Sequence, residues 1–302
     1  MNNNMSILVV GSVALDTIKT PQARVKEVLG GSATYFSISA NFFSPVNLVA
    51  VVGRDFPKRY LRLFKKRGID LTGLAIEEGE TFRWEGEYGW DFSDPRTLST
   101  CLNVFSEFNP RIPREYKKSK YLFLANIDPR LQQKVLSQLN PKLVACDTMN
   151  YWIKNMRKHL LKLLKKVDIF LLNESEARQL TYQNSMVKAA RSLLKFGTKI
   201  VIVKKGEHGT LLFSDSYIFS IPAFLLETIV DPTGAGDTFA GGFIGYLARC
   251  NRFSRTNIKR AVVYGSVMAT FAVEDFSVRR LVSIDAGDIR KRFKEFQRLS
   301  CF

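Results

Sequence analysis

The segment DPTGAGD at residues 231–237 combines small residues with two carboxylates, directly before an apolar run. The run TFAGGFIGYLARC that follows has helical spacing, so the sequence predicts a helix that begins at this turn. Glycine and alanine leave the backbone N–H groups of a helix start uncovered, and the helix dipole adds positive potential there. Such a turn is typical of an anion-binding site.

Asp237 lies inside this turn, where its charge would repel a bound phosphate. A carboxylate there instead suits a general base, which takes the proton of an alcohol as the alcohol oxygen attacks a phosphoryl group held by the N–H groups. The oxygens of Asp231 and Thr233 suit a helix N-cap or a monovalent-cation site. A plain glycine turn with a capping aspartate is the alternative. The chain has no Gly-x4-Gly-Lys-Ser/Thr segment. A phosphate-binding turn in this chain would therefore belong to a fold other than the P-loop fold.

The composition is that of an ordinary globular protein, with 302 residues, 46% apolar and 24% charged. This length fits one large α/β domain, or one domain with a small appendage. The net charge of +17 is spread over helix-like segments at 58–68, 153–167 and 289–299. That spread favours solvated helix faces over a nucleic-acid site.

Cysteine and histidine usage excludes several classes of site. The four cysteines are far apart and only two histidines occur, which argues against a zinc cluster, a disulfide framework and a histidine relay. The N-terminus lacks a secretory pattern, and no segment approaches the roughly eighteen apolar residues of a membrane span. The sequence predicts a cytoplasmic protein with no membrane partner.

Short apolar runs alternate with segments of helical spacing along most of the chain. Strands are predicted at 7–11, 47–53, 121–126, 143–147, 168–173 and 199–204, and helices at 32–43, 129–139, 151–166 and 185–196. Near-continuous apolar runs are typical of strands covered on both faces. The pattern predicts an α/β fold around a doubly wound, mostly parallel sheet.

Residues 73–110 break this pattern. The segment TFRWEGEYGWDF at 81–92 alternates aromatic and polar residues and has glycines at 86 and 89, which predicts a hairpin outside the main sheet. A hairpin of this kind suits a lid over a ligand. An edge extension or a homodimer contact is the alternative.

The segment DPTGAGDTFAGGF resembles the C-terminal signature of the ribokinase-like carbohydrate kinases, the phosphofructokinase B type superfamily. VLGGSATYFSISANFF at 28–43, with GSVALD at 11–16 upstream, is similar to the N-terminal signature of that family. The resemblance extends over about residues 5–298. It implies a three-layer α/β/α domain spanning 1–302, with a small β lid formed mainly by about 12–20 and 73–110. It also implies ATP and Mg2+ as cofactors.

The resemblance assigns roles to individual residues. Asp237 matches the catalytic base, and the matching anion hole consists of Gly234, Ala235 and Gly236. The positions that match acceptor-binding residues are Asp16, Gly30 and Gly31.

Two further elements resemble nucleotide-binding parts of the family. NESE at 173–176 is similar to an element in which Asn173 and Glu176 organise magnesium, water and the nucleotide phosphates, with Glu176 acting on Mg2+ indirectly; a helix start with N-terminal acids is the alternative. VKKGEHG at 203–209 matches the loop that contacts ATP, through Lys204, Gly206 and Gly209. Lys204 replaces the threonine of several members and adds positive charge near the γ-phosphate. A salt-bridged surface lysine is the alternative.

The chain departs from the family pattern in three places. Tyr35 replaces the sugar-reading asparagine, which argues against ribose-type hydroxyl readout and favours stacking on a ring or a narrower pocket. Asn126 and Asp128 in NIDP are weaker acceptor-binding candidates. AVEDFSV at 272–278 differs from the potassium-activated members, so activation by K+ stays open.

The sequence therefore predicts an ATP-dependent kinase that phosphorylates a hydroxymethyl group of a sugar or polyol. A nucleoside kinase of the adenosine type is the alternative, because the aromatic lid residues could stack on a base. A nucleotide-binding regulator without turnover is the alternative from another class. The intact Asp237 argues against it.

Overall fold

The computed structural model describes residues 5–92 and 95–300 of the chain. The helices are α1 (Ser32–Ala40), α2 (Lys58–Lys66), α3 (Pro129–Leu136), α4 (Asn150–Asn155), α5 (Arg157–Leu164), α6 (Glu174–Thr181), α7 (Met186–Lys195), α8 (Ala235–Cys250), α9 (Arg255–Val273), α10 (Arg279–Ser283) and α11 (Ala286–Ser300). Within the described residues, no helix combines the length and apolar character needed to cross a bilayer.

A large sheet forms the centre of the fold. Its strands are β1 (Ile7–Val10), β4 (Val46–Gly53), β5 (Asp70–Glu77), β8 (Tyr121–Leu124), β9 (Leu143–Cys146), β10 (Ile169–Asn173), β11 (Ile200–Lys204), β12 (Thr210–Ser214) and β13 (Ile218–Ile221). Their spatial order is β13-β12-β11-β10-β9-β8-β1-β4-β5. Strands β5 to β11 in this order pair in parallel, and β12 and β13 add antiparallel pairs at one edge.

Strands β1, β4 and β8 to β11 are buried on both faces, as their apolar sequences predict. Ile7 and Val9 of β1 face a core that includes residues of α1, α8 and α9, whereas Leu8 and Val10 face a core that includes residues of α3, α5 and α7. Successive strand residues point to opposite faces, so one short apolar strand contributes to both cores. The predicted three-layer α/β/α fold is confirmed.

Chain order reverses at the neighbouring strands β1 and β8. From β1 the chain continues outward to β4 and β5 on one side, and from β8 outward to β11 on the other. Ligands of open α/β sheets bind outside the carboxyl ends of the strands at such a switch point. The fold therefore directs attention to the carboxyl edge of the sheet.

A separate small sheet contains β2 (Ala14–Lys19), β3 (Arg24–Gly30), β6 (Arg83–Glu87) and β7 (Arg96–Cys101), in the order β3-β2-β6-β7. Its composition differs from the expected lid ranges of 12–20 and 73–110 in two places. Strand β5 pairs with β4 and is an edge strand of the large sheet, while β3 belongs to the small sheet. Residues 93 and 94 of the expected range, and residues 1–4 and 301–302 of the expected domain, lie outside the described residues.

The predicted strands of the main sheet are all present, whereas one predicted helix is divided. The segment 151–166 forms α4 and α5, separated at Met156, whose backbone (φ −130°, ψ 25°) is not helical. Helix α9 and strands β12 and β13 were not predicted.

Helix α8 lies between α1 and α9, and its glycines allow the close approach. A Cβ atom at Gly241 would lie 2.5 Å from the Phe36 carbonyl oxygen of α1, and one at Gly242 would lie 2.9 Å from the Tyr264 carbonyl oxygen of α9. The Ser39 hydroxyl of α1 also donates a 2.7 Å hydrogen bond to the Thr238 carbonyl. The small residues Ala240, Gly241 and Gly242 therefore allow α8 to pack closely against its neighbouring helices. The small residues of the turn before α8 belong to the candidate site described below.

Candidate active site

The carboxyl edge of the large sheet brings three polar side chains into one region. Asp147 follows β9, Asn173 ends β10 and Lys204 ends β11, on strands that pair in parallel in that order. The start of α8 faces the same region, because Lys204 lies against Gly236. Motifs that are distant in the sequence therefore come together in one region, the candidate cleft.

Helix α8 begins with several backbone N–H groups that no side chain covers. Gly234 precedes the first turn with φ +73°, a left-handed conformation that favours glycine, and the helix has no side-chain cap. The Ala235 N–H donates to the Pro232 carbonyl at 3.1 Å, so one member of the expected anion hole is already engaged. The N–H groups of Gly234, Gly236 and Asp237 have no acceptor within the described residues. They are available to a bound anion.

Asp237 lies in the first turn of α8 and is partly exposed. Its carboxylate makes no hydrogen bond or ion pair to another residue in the described part of the chain. Burial and the nearby negative charge of Asp147 raise the pKa of Asp237 to about 7, and the positive charge of Lys204 works in the opposite direction. A carboxylate with this pKa is suited to take a proton near neutral pH.

Lys204 is paired with Asp147, a residue that the sequence analysis did not assign to the site. The lysine Nζ lies 3.0 Å from Asp147 Oδ2, and the two side chains are 16% and 5% exposed. Burial opposes the charge on Lys204, but the carboxylates of Asp147, Glu176 and Asp237 together hold its pKa above the ordinary value. Lys204 is therefore a buried cation of the cleft, and its ion pair is not the surface pair named as the alternative.

Asp16, Gly30 and Gly31 lie together at the junction of β2, β3 and α1. Asp16 is 4% exposed, and a Cβ at Gly30 would lie only 1.9 Å from its Oδ2 atom. Burial raises the pKa of Asp16 to about 8, with further contributions from the charges of Asp231 and Asp237, while a backbone hydrogen bond from Gly31 lowers it. The effect of the Asp237 charge on Asp16 places the two residues in one electrostatic cluster.

Tyr35 packs beneath the start of α8. Its ring is buried, and a Cβ at Gly234 would lie 2.4 Å from ring atoms, so glycine is required there for this contact. The Tyr35 hydroxyl has no hydrogen-bond partner within the described residues. Burial and the charges of Asp231 and Asp16 raise its pKa well above the usual value. A role for Tyr35 in stacking on the acceptor or in narrowing the pocket stays a prediction.

Asp231 ties the turn before α8 to the loop before α10. Its Oδ1 accepts from the Thr233 N–H at 2.9 Å and its Oδ2 from the Ser277 N–H at 3.3 Å. Thr233 donates through its hydroxyl to the Tyr88 hydroxyl at 3.1 Å, which links the turn to the small sheet. Both carboxylate oxygens of Asp231 are thus engaged with the backbone, and a monovalent-cation role for Asp231 and Thr233 stays a prediction.

Asn173 and Glu176 form a capping box at the start of α6. Asn173 Oδ1 accepts from the Glu176 N–H, and Glu176 Oε2 accepts from the Asn173 N–H, each at 2.7 Å. This is the helix-start arrangement that the sequence analysis named as the alternative. Glu176 is buried, and its charge raises the pKa of Lys204, so the capping box also borders the cleft.

Gly206 begins a short turn after β11, Gly206–His208, and Gly209 follows this turn directly before β12. A Cβ at Gly209 would lie 2.1 Å from the Ile221 carbonyl oxygen of β13, whereas one at Gly206 would meet no atom within 4 Å. Gly209 is therefore required by strand packing, and Gly206 leaves open space beside the edge of the sheet.

Asn126 and Asp128 make contacts outside this cluster. Asn126 Oδ1 accepts from the Trp152 Nε1–H at 3.0 Å. Asp128 caps α3 by accepting from the Arg130 N–H at 2.8 Å, and it pairs with the Arg130 guanidinium at 2.6 Å. The structure gives both residues local structural partners, and their acceptor-binding role stays a prediction.

The cleft combines a proton-accepting carboxylate, uncovered amides at a helix start and a buried lysine. Such a set is suited to transferring a phosphoryl group to an alcohol. The sequence profile of the family described as "pfkB family carbohydrate kinase" matches residues 4–284. The chain belongs to this family, and it is a phosphotransferase that uses an alcohol group as acceptor.

Relatives and solved structures agree with this assignment. The chain is 33% identical over 251 residues to a cytidine kinase of Thermococcus kodakarensis, covering 81% of this chain and 89% of the relative. It is 24% identical to a nucleoside kinase of Methanothermobacter thermautotrophicus, with 97% of each chain covered. The fold matches an E. coli protein of the ribokinase II type, solved with ATP and Mg2+, with a TM-score of 0.80, 19% identity and coverage of 96% and 99%.

Proposed function

We propose that this protein is an ATP-dependent kinase that transfers the γ-phosphoryl group to the hydroxymethyl group of a sugar ring, and that the ring belongs to a nucleoside. The observation that carries the proposal is the Asp237 carboxylate, which has no partner among the described residues and lies beside the uncovered N–H groups of α8. The cytidine kinase and nucleoside kinase relatives support a nucleoside acceptor.

The residues of the cleft divide the chemistry between them. Asp237 accepts the proton of the acceptor hydroxyl as the alcohol oxygen attacks the γ-phosphorus. The N–H groups of Gly234 and Gly236 and the Lys204 ammonium group stabilise negative charge on the transferred group. Asp16 binds hydroxyl groups of the acceptor. The small sheet, tied to the α8 turn through Tyr88, covers the site and excludes water, which otherwise competes as acceptor.

The candidate site is compatible with a magnesium ion that the protein itself holds only weakly. They contain no cluster of three or more His, Cys, Asp or Glu side chains placed to hold a metal. Mg2+ is commonly bound by one or two carboxylates together with substrate phosphates and water. Glu176, buried at the edge of the cleft, is the carboxylate that would hold it through water. The ion supplies charge neutralisation of the phosphates when bound.

An acceptor panel tests the proposal directly. ADP formation is measured with ATP and Mg2+ in the presence of pyrimidine and purine nucleosides, free pentoses and hexoses, and a cyclic polyol, each with and without K+. We expect turnover to depend on a nucleoside and to disappear in the Asp237→Asn variant. Turnover with free sugars alone would move the acceptor to the carbohydrate class.

The regulator hypothesis makes the opposite prediction for the same assay. It requires salt-dependent binding to random duplex DNA and no ADP release stimulated by any acceptor.

A homodimer through the small sheet and a cytoplasmic location remain predictions. Sedimentation of the purified chain tests the first of these.

A further inference from the structure

A buried ion pair lies directly against the start of α8. Lys204 Nζ is 3.0 Å from Asp147 Oδ2 and would be 2.8 Å from a Cβ at Gly236. The ammonium group therefore sits beside the uncovered N–H groups of the helix. Both partners are largely shielded from solvent, with exposures of 16% and 5%.

This position is electrostatically costly for a lysine. The start of a helix carries partial positive charge, which repels a cation, and burial removes the hydration of the ammonium group. A negative charge at the same place relieves both costs. The only acidic side chain paired with Lys204 within the described residues is Asp147. Asp147 thereby offsets the cost of holding the ammonium group beside the helix start.

Asp147 is itself held firmly at the end of β9. Its Oδ1 accepts from the Thr148 N–H at 2.6 Å, and its carbonyl accepts from the buried Gln132 side chain at 3.3 Å. The carboxylate therefore has a fixed position from which to orient a flexible lysine side chain.

We propose that Asp147 is a positioning residue of the kinase, which holds the Lys204 ammonium group against Gly236 so that the lysine and the α8 amides bind the same transferring phosphoryl group. The inference rests on the proposed function. It assigns to Asp147 a role that acts through Lys204 and not through contact with either substrate.

The electrostatics of Asp237 give this arrangement a measurable signature. The charge of Asp147 raises the pKa of Asp237, and the charge of Lys204 lowers it. Neutralising Asp147 therefore shifts the acidic limb of the pH–rate profile to lower pH, whereas neutralising Lys204 shifts it to higher pH. General destabilisation of the fold would not move the limb in opposite directions.

Strand β11 offers a matched control at its other end. Lys199 precedes the strand and pairs with Asp168 at 2.7 Å. Its side chain is 77% exposed and lies at the amino end of β11, away from the candidate cleft at the carboxyl ends of the strands. Lys199→Met removes the same kind of ion pair without changing the cleft. We expect wild-type kcat in this variant.

The test is a double-mutant cycle with Lys204→Met, Asp147→Asn and the combined variant, assayed for kcat, KM for each substrate and pH dependence. We expect Lys204→Met to lower kcat by about 10²-fold, the scale of losing one donor to a developing oxyanion. We expect Asp147→Asn to cause little further loss in the Lys204→Met background. If the kcat losses of the two single variants multiply in the combined variant, the proposal is wrong. Wild-type kcat in Lys204→Met would also overturn it.

Thermal melts accompany the cycle, because each single variant leaves a buried charge without its partner. If a single variant does not fold, the combined variant, which leaves neither charge, keeps the proposal testable, because wild-type kcat in it would overturn the proposal. A second measurement, calorimetric binding of a non-hydrolysable ATP analogue, requires no acceptor. Lys204→Met must weaken this binding.

A wild-type enzyme that is inactive on every acceptor contradicts the proposed function, whereas an active enzyme with an additive cycle contradicts only this inference.

Discussion

Two helices begin at the carboxyl edge of the sheet, and they begin in opposite ways. Helix α6 is closed by its own side chains, since Asn173 and Glu176 satisfy each other's backbone N–H groups. Helix α8 has a left-handed glycine and no side-chain cap, and N–H groups in its first turn remain uncovered. One start is completed by the protein's own side chains, and the other leaves N–H groups without an acceptor in the described residues.

The difference teaches how to separate structural from functional helix starts. Both sequences carry acids in the first turn, so composition alone does not distinguish them. The carboxylate of Glu176 accepts a hydrogen bond from its own helix start, whereas that of Asp237 is unpaired within the described residues. The predictions below test whether the contrast has the functional meaning that we assign to it.

The largest effect is expected for Asp237→Asn. The amide has no proton affinity to serve as a base, so kcat should fall by about 10² to 10⁴-fold while ATP binding is retained. Steady-state kinetics and calorimetric ATP binding measure the two quantities. Asp215→Asn, at an exposed turn between β12 and β13, is the matched control. Near-normal turnover in Asp237→Asn would remove the base assignment.

Gly236→Val should have the next largest effect. A Cβ at this position would lie 2.8 Å from Lys204 Nζ, so the valine displaces the lysine and crowds the uncovered amides. We expect kcat to fall by about 10 to 10²-fold with a higher KM for ATP. Because the crowded atom is the end of a flexible side chain, the melting temperature should change little. Unchanged kinetics would show that no phosphate binds at the α8 start.

The pH dependence should follow Asp237. The base acts only when it is deprotonated, and its pKa is raised to about 7. Activity should therefore be low below this pH, rise about tenfold per unit as pH increases towards 7, and level off above it. The profile of kcat/KM between pH 5 and 9 measures this. A limb centred near the ordinary aspartate value of about 4 would contradict the assignment.

The smallest effect is expected at α6. Asn173→Ala removes the capping side chain, which typically costs about 1 kcal/mol, so the melting temperature should fall by about 2 to 4 °C. Asn173→Ser retains a capping oxygen and is the matched control. Differential scanning calorimetry compares the three proteins. If Asn173→Ala leaves the melting temperature unchanged but greatly reduces activity, the main role of Asn173 is nucleotide binding and not capping of α6.

Strands β1, β4 and β8 to β11 of the large sheet could be predicted because they are short and almost entirely apolar, a pattern that burial on both faces explains, whereas β5 and β13 escaped because much of their length is exposed. Helix α9 escaped prediction because segments such as AVVYGSVMATFAV are apolar on most sides, which weakens the amphipathic period. Strand β3 escaped because RVKEVLG is largely exposed along its length. Its pairing with β2 depends on contacts that a single segment does not reveal.

Within the site, Asp237 and the α8 turn could be predicted because they form one continuous motif. Asp147 could not, because its position beside Lys204 arises from the pairing order of β9, β10 and β11 and from no local pattern. The available signal was its place directly after a buried strand, at the edge where the other strands end. The engagement of the Ala235 amide depends on the geometry of the turn and likewise lay beyond the sequence.

The glycine contacts between α8 and α1 have a consequence for inhibitor design. Gly241 and Gly245 bring the backbones of the two helices together, and α1 begins beside Gly31 while α8 begins beside Gly234. The two helix starts therefore belong to one rigid block, and the gap between them is set by packing and not by a hinge. Under the proposed function, a compound that joins an acceptor analogue to a phosphate mimic should therefore bind best with a linker of one particular length.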